Sequence, residues 1–262
     1  MHPACPLVIA ANRDEFFQRP SAKAGFWQDY PSILAGRDLE KGGTWLGIDT
    51  SGRVAAVTNY REPSRPMKPA ALSRGFLVRD YLAGTSMANE YLTSVGCKLQ
   101  RYDGFNLFAG DPQSLWFIST YLSQPRLLAA GIHGVSNGDL DYPWPKVLLG
   151  KERLAQLLDN TGSIDEAGLF ELLADRSVPE IPFALESDLD RETQRMLAPI
   201  FVHGKNYGTR CSTVLLYSRE GNVRFTEKSF DQYGKEAGMV TFDFTLERKK
   251  SEARSQKSEW GI

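Results

Sequence analysis

The chain has 262 residues, 42% of them apolar and 24% charged, which is enough to bury a sizeable core in one large globular domain. Its formal net charge of -1 supplies no overall attraction to nucleic acid or to an anionic membrane, so electrostatic binding has to come from local clusters. The three cysteines, Cys5, Cys97 and Cys211, have no C-x-x-C spacing and cannot all pair, which argues against a disulfide framework and a structural zinc site. The start is too poor in basic residues for a secretory signal, and no apolar run approaches the ~20 residues of a membrane span. A cytoplasmic protein without a transmembrane segment is expected, with transient membrane contact left open, and no nucleic-acid partner or metal.

The first predicted element is the β-branched run Leu7-Val8-Ile9-Ala10-Ala11, read as a strand that breaks into Asn12-Arg13-Asp14-Glu15 and so places four polar groups at its end. Phe26 and Trp27 are read as loop residues before a second strand, Ser32 to Gly36. A hairpin follows, Thr44 to Ile48 and Arg53 to Asn59 around the turn Asp49-Thr50-Ser51-Gly52. Gly42-Gly43 ahead of it implies a positive φ or a close backbone approach.

Between Arg61 and Arg74 lie three prolines, Pro63, Pro66 and Pro69, with Arg61, Arg65, Lys68 and Arg74 against one acid, Glu62. This reads as an extended basic loop, with Ser73 as the N-cap of the following helix. A second short helix runs from Ala88 to Val95 and stops at Gly96. Phe105 to Gly110 and Leu115 to Ser119 form a hairpin, and Arg126 to Gly131 a further strand that leads into Ile132-His133-Gly134-Val135-Ser136-Asn137-Gly138.

Pro143 and Pro145 open a helix toward Leu158, and Ser163-Ile164-Asp165-Glu166 reads as a capping box for the next. After an irregular acidic stretch, 179–190, strands are expected at Ile200 to Val202, Ser212 to Tyr217, Val223 to Phe225 and Val240 to Phe244. Clustered strands and clustered helices, without strict alternation, point to an α+β fold, most simply two packed sheets under helical layers. One domain is expected over 1–246, followed by a charged, frayed tail, 247–262.

Arg13, Arg61 and Arg210, each at the margin of an apolar run, could together with Asn59 hold a carboxylate or phosphate, or stabilise an oxyanion, with Asp14 and Glu15 positioning the guanidinium groups. Internal salt bridging is the competing use of the same residues. His133, between glycines and close to Asn137, is the histidine best placed for function. No G-x-S-x-G elbow is present. The chain begins Met1-His2, so Cys5 would serve as an N-terminal nucleophile only after cleavage behind Ala4. His2, Cys5, His133 and His203 are the groups able to ligate haem iron, and no two have ligand spacing. Aromatic residues, Trp45 among them, could line a flat apolar cavity.

The ordered blocks Ala11-Asn12-Arg13-Asp14-Glu15, Gly42-Gly43-Thr44-Trp45-Leu46-Gly47, Thr58-Asn59-Tyr60-Arg61, Ser73-Arg74-Gly75, Tyr102 to Leu107, His133 to Asn137 and Tyr207-Gly208-Thr209-Arg210 resemble the NRDE family, also called the transport and Golgi organisation protein 2 family. The resemblance covers residues 2 to about 245. It implies a four-layer αββα sandwich like that of the N-terminal-nucleophile hydrolases, and a link to haem trafficking or to acyl-coenzyme A metabolism. Family chains typically begin Met-Cys and an apolar strand before the His-Pro pair, whereas this sequence begins at Met1-His2-Pro3.

Two functions follow as expectations. One is binding and trafficking of a hydrophobic anion, haem or an acyl-coenzyme A, by Asn12, Arg13, Asp14, Glu15, Trp45, Asn59, Arg61, His133, Asn137 and Arg210. The other is an amidohydrolase whose nucleophile-bearing first strand is missing from this sequence, with no catalytic residue assigned.

Overall fold

The computed structural model describes residues 2–61, 71–122, 124–159, 162–179 and 189–246. The tail 247–262, most of the basic loop (62–70) and the acidic stretch 180–188 lie outside them.

Two antiparallel sheets carry the fold. The narrow one has the order β1-β9-β10-β11, made of Leu7–Phe16, Tyr207–Tyr217, Asn222–Phe230 and Glu236–Thr245. The wide one is a seven-stranded meander, β2 to β8: Ser21–Phe26, Ile33–Asp38, Leu46–Asp49, Val54–Asn59, Phe105–Gly110, Leu115–Ser119 and Arg126–Leu127.

Alternation along the strands builds three apolar layers. Leu34, Ile48 and Val54 of the wide sheet meet Leu215, Val223 and Phe225 of the narrow one. On the wide sheet's other face, Ile33, Ala35, Leu107, Ala109 and Ile118 are covered by Leu77, Val78, Tyr81 and Leu82 of α1 (Gly75–Ala83) and by Leu92 and Val95 of α2 (Ala88–Gly96). On the narrow sheet's outer face, Val8, Ala10 and Val214 lie under Leu169, Leu172 and Leu173 of α4 (Glu166–Leu173), beside Leu154 and Leu157 of α3 (Pro145–Leu158). The chain is therefore an αββα sandwich. Each fully buried leucine or phenylalanine in these layers contributes about 2–3 kcal/mol.

Local departures from the sequence reading have local causes. Asn12 to Glu15 lie inside β1 rather than after it, because β9 pairs with them through Tyr207. Phe26 ends a strand, β2, which Ser-Ala-Lys-Ala-Gly-Phe conceals by lacking β-branched residues. The strand expected from Arg126 to Gly131 has two residues, and Ile200 to Val202 is not a strand. A fifth helix, α5 (Arg191–Leu197), starts where the acidic stretch ends, with Asp190 accepting from Thr193 N at 2.9 Å. Asp165, not Ser163, caps α4 by accepting from Gly168 N at 2.9 Å. Arg74 occupies the N-cap position expected for Ser73. Gly42 has φ +76, and a Cβ on Gly43 would stand 2.6 Å from the Gly75 backbone carbon, so both glycines answer to the geometry expected of them.

Candidate functional site

One end of the sandwich gathers the C-terminal halves of β1, β3, β5 and β10 and the N-terminal ends of β4, β6 and β9, as their antiparallel registers require. Most of the polar motifs fall at this end.

The Asn12–Glu15 run divides between two layers. Asn12 points outward, where its Nδ2 donates to the carbonyls of Leu173 (2.8 Å) and Ile200 (3.0 Å) and its Oδ1 accepts from Ser212 Oγ (2.6 Å). Asp14 also points outward and accepts from Thr209 Oγ1 at 2.7 Å. Burial raises its pKa, opposed by Lys146 on α3 and by the Thr209 bond, while burial lowers that of Lys146, whose Nζ donates to Leu197 O at 2.8 Å. Asn12 and Asp14 thus tie β1 to the helices.

Arg13 points between the sheets. It is 9% exposed, and its guanidinium lies over the indole of Trp45 at 4.2 Å from the ring centroid. Glu15 Oε2 is 3.9 Å from Nη2, whereas Nη1 is buried and makes no hydrogen bond among the described residues. Burial lowers its pKa, and the charge persists because arginine starts so high.

Around it are Cys211, directly across the ladder from Arg13, and Glu227 on β10. Glu227 Oε1 accepts from Ala24 N at 2.8 Å, while Oε2 is buried without a partner among the described residues. Burial raises the pKa of both groups, that of the Cys211 thiol strongly, with the Glu227 charge adding to it. A Cβ on Gly36 would come within 2.4 Å of Cζ2 of Trp45, so this glycine makes room for the indole. The slot therefore combines a buried cation with an unmet donor, an aromatic plane and a buried acid with an unmet acceptor.

The other arginines have different work. Arg210 is the extra residue of a β-bulge: Arg13 pairs with Cys211 and Asp14 with Thr209, which leaves Arg210 unpaired between them. Its Nη1 donates to the carbonyls of Phe16, Phe17 and Arg19, fastening the turn from β1 to β2. Arg61 is exposed, and its backbone N donates to Asn137 O at 2.7 Å. Asn59 is exposed at the end of β5. Arg37 turns away to Asp29 (2.6 Å) and the ring of Trp27.

His133 belongs to a second constellation. Its Nδ1 is 2.8 Å from Asp141 Oδ2 and its Nε2 2.9 Å from Ala129 O. Asp141 has φ +60 and also accepts from Gly134 N and Lys151 Nζ. The segment it holds lays Ser136 O on Thr58 Oγ1 (3.3 Å) and Gly138 O on Asn106 Nδ2 (2.8 Å), above the ends of β5 and β6. Asn137 is exposed there.

Three further residues complete this end. Arg74 donates from Nη1 to Gly104 O at 2.9 Å, and burial lowers its pKa against Asp103 and Glu15. Arg19 binds Asp38 Oδ2 through Nη2 at 2.7 Å. Arg74 stands in the Ser73-Arg74-Gly75 block, which was the available signal; Arg19 and Asp38 are paired by the β2–β3 register, which local sequence does not show. No described group of three or more His, Cys, Asp and Glu side chains is arranged to hold a metal ion, and no described helix is long and apolar enough to cross a membrane.

The sequence profile of Transport and Golgi organisation 2 matches residues 1–232. The human Transport and Golgi organization protein 2 homolog is 34% identical over 258 residues, covering 92% of this chain and 93% of the relative. The Drosophila melanogaster Transport and Golgi organization protein 2 is 27% identical over 248 residues, covering 85% and 86%. Among solved structures, penicillin V acylase from Agrobacterium tumefaciens aligns over 91% of this chain and 82% of its own, with a TM-score of 0.48 and 11% identity. A mutant conjugated bile acid hydrolase from Clostridium perfringens aligns over 92% and 86%, with a TM-score of 0.45 and 9% identity.

Proposed function

The chain belongs to the Transport and Golgi organisation 2 family, and from that membership we propose that it binds and carries, inside the cell, a hydrophobic anionic small molecule, haem or an acyl-coenzyme A. The observation that carries this reading is Arg13, a buried guanidinium laid on an indole with Nη1 unmet. A buried donor without a partner costs about 1–3 kcal/mol, more for a charged group, and an anion at that nitrogen removes the cost.

Haem as cargo would be held by its propionates and ring. Iron ligation has no support at this end: the ring nitrogens of His133 and His203 face Asp141, Ala129 and Gln232, and Cys5 lies beyond the far end of β1. The strand from Leu7 to Arg13 alone spans about 20 Å, and Cys5 lies two residues before it.

The alternative is hydrolysis of an amide or thioester, for which neither Cys5 nor Cys211 is placed as the nucleophile. Cys5 does not reach Arg13, and burial holds the Cys211 thiol protonated.

Haemin titrated into the purified protein is expected to give a saturable Soret shift at about micromolar concentration, weakened about tenfold by Arg13→Met. Palmitoyl-coenzyme A displaces the haemin if both use this slot. Saturable binding of neither ligand, or binding that Arg13→Met leaves unchanged, overturns the proposal. Amine release from an acyl-amide substrate with no ligand binding would favour the hydrolase.

A further inference from the structure

On the inner face of the narrow sheet, three buried side-chain atoms have no hydrogen-bond partner among the described residues: Arg13 Nη1, Glu227 Oε2 and Ser229 Oγ. Register brings them together. Arg13, Cys211 and Ser229 stand in one row across β1, β9 and β10, and Glu227 is two residues before Ser229 on the same face of β10. Strands about 4.8 Å apart put β1 and β10 about 10 Å from each other. The indole of Trp45 lies under that gap: its face carries Arg13, and its Cζ2 edge and Glu227 Oε2 both adjoin Gly36.

Arg13 Nη1 and Glu227 Oε2 are not bonded to one another. Glu227 is turned toward β2 by its bond from Ala24 N (2.8 Å), and the guanidinium is laid on the indole. Because Oε1 accepts from Ala24, a proton on Glu227 resides on Oε2, where it becomes a second unmet donor. At 1% exposure, burial raises the pKa of Glu227 and favours that form, against the Ala24 bond and Arg13.

Few charged or titratable groups face Glu227. Arg13 on β1 keeps its charge, and Cys211 on β9, its thiol pushed well up by burial, keeps its proton across the neutral range. Glu15 and Asp38 are the other acidic neighbours of Arg13, and both also face Arg19. Lys23 of β2 is exposed, and Lys228 of β10 turns to Glu236. Glu227 is therefore the group of this slot able to exchange a proton near neutral pH.

We propose that Glu227 is the second ligand contact of the slot, which takes a carboxylate together with one proton, held between that carboxylate and Oε2 while Arg13 Nη1 and Ser229 Oγ donate to it. This rests on the reading of the slot as an anion site and narrows its ligand. An ionised Glu227 would repel the incoming carboxylate, so the anion and a proton from solvent enter together. A phosphate dianion lacks a second cation here, since Arg19 is held by Asp38 and Arg210 by three carbonyls. Haem carries carboxylates in its propionates, and an acyl-coenzyme A carries none.

Dodecanoate and dodecyl phosphate are titrated calorimetrically into the full chain between about pH 5.5 and 8.5, with haemin as the reference ligand. Dodecanoate should bind saturably, its affinity falling about tenfold per pH unit once free Glu227 has lost its proton, and dodecyl phosphate should bind at least about tenfold more weakly. Glu227→Gln keeps an acceptor for Ala24 N and puts a donor at the Oε2 position. It should abolish the fall and bind dodecanoate about tenfold tighter than the wild type at the alkaline end. Glu227→Met, which has no donor, serves should Glu227→Gln not fold, and should weaken binding about tenfold throughout. Haemin binding that depends on Arg13 but on neither pH nor Glu227 overturns this inference and leaves the anion reading standing. So does dodecyl phosphate binding as tightly as dodecanoate, or a Glu227→Gln protein that is less stable in urea yet binds as the wild type does at every pH. Saturable binding of neither haemin nor dodecanoate overturns both.

Discussion

Arg13 stacks on Trp45 and makes only a long contact with a carboxylate: its guanidinium is 4.2 Å from the indole centroid, and Glu15 Oε2 is 3.9 Å from Nη2. Glu15 has a second cationic neighbour in Arg19, at 3.7 Å, so it is not left alone when Arg13 is removed. Arg13→Met should therefore change stability by less than about 1 kcal/mol, since an apolar side chain of similar length replaces a poorly satisfied charge. Trp45→Ala should destabilise by about 3 kcal/mol, because it opens a cavity beside Gly36 and strips the guanidinium of its support. Urea midpoints of the two variants decide this; a larger loss for Arg13→Met than for Trp45→Ala would show that the charge is structural.

Asp141 is predicted to set the acid limb of stability for the segment between β8 and α3. Burial raises its pKa, but hydrogen bonds from Lys151, His133 and Gly134 outweigh that and bring it below the ordinary 3.8. A carboxyl that titrates lower when folded stabilises fully above the unfolded value, and the contribution fades as pH falls through the folded one. Asp141→Asn, which keeps the positive-φ tolerance of the site, should lose about 1 kcal/mol at pH 7 and less at pH 2, as the contribution fades through the lowered folded value. Urea titrations at the two pH values check the sign.

The three thiols should separate by reactivity. Cys97 is exposed, Cys5 is half-buried with a pKa raised by burial, and Cys211 is buried with its thiol pushed well up by burial and by Glu227. Iodoacetamide at pH 8 should alkylate Cys97 first and leave Cys211 unmodified until the protein is unfolded in urea. Peptide mass spectrometry reads the order, and labelling of native Cys211 would contradict the packing between β9 and β10.

Gly43→Ala is expected to be among the more damaging small substitutions. Its Cβ would sit 2.6 Å from the Gly75 carbonyl carbon, and backbone at the start of α1 cannot turn aside as a side chain can. The loss should be about 2 kcal/mol, a fall in Tm of roughly 5 °C. Gly42→Ala adds a strained φ of +76 in open space and should lose about half as much. Calorimetry of the two variants tests the ranking.

Strand alternation made most of the layers legible in the sequence, because Leu34, Ile48, Leu215 and Phe225 declare their faces by period 2. The same rule misplaced Asn12 to Glu15. Polar residues inside a strand look like its end when the partner that buries them, β9, lies some 200 residues away. The clustering of arginines was visible, but their separate duties were not: Arg13 looks inward, Arg37 outward, and Arg210 folds back on three carbonyls. Those directions depend on register and on a bulge, neither of which composition encodes. Arg74 was visible in the Ser73-Arg74-Gly75 block, but its bond to Gly104 depends on the packing of α1 on the wide sheet.

The extra residue at Arg210 gives β9 two reading frames. Cys211, Thr213 and Leu215 serve the space between the sheets, yet Thr209, of the same parity, bonds to Asp14 on the opposite face. Substitutions before the bulge should be judged by the chemistry of the helical layer, and those after it by the interior. Deleting one residue there would invert the first group without moving the second, so this short stretch tolerates exchange of side chains far better than any change of length.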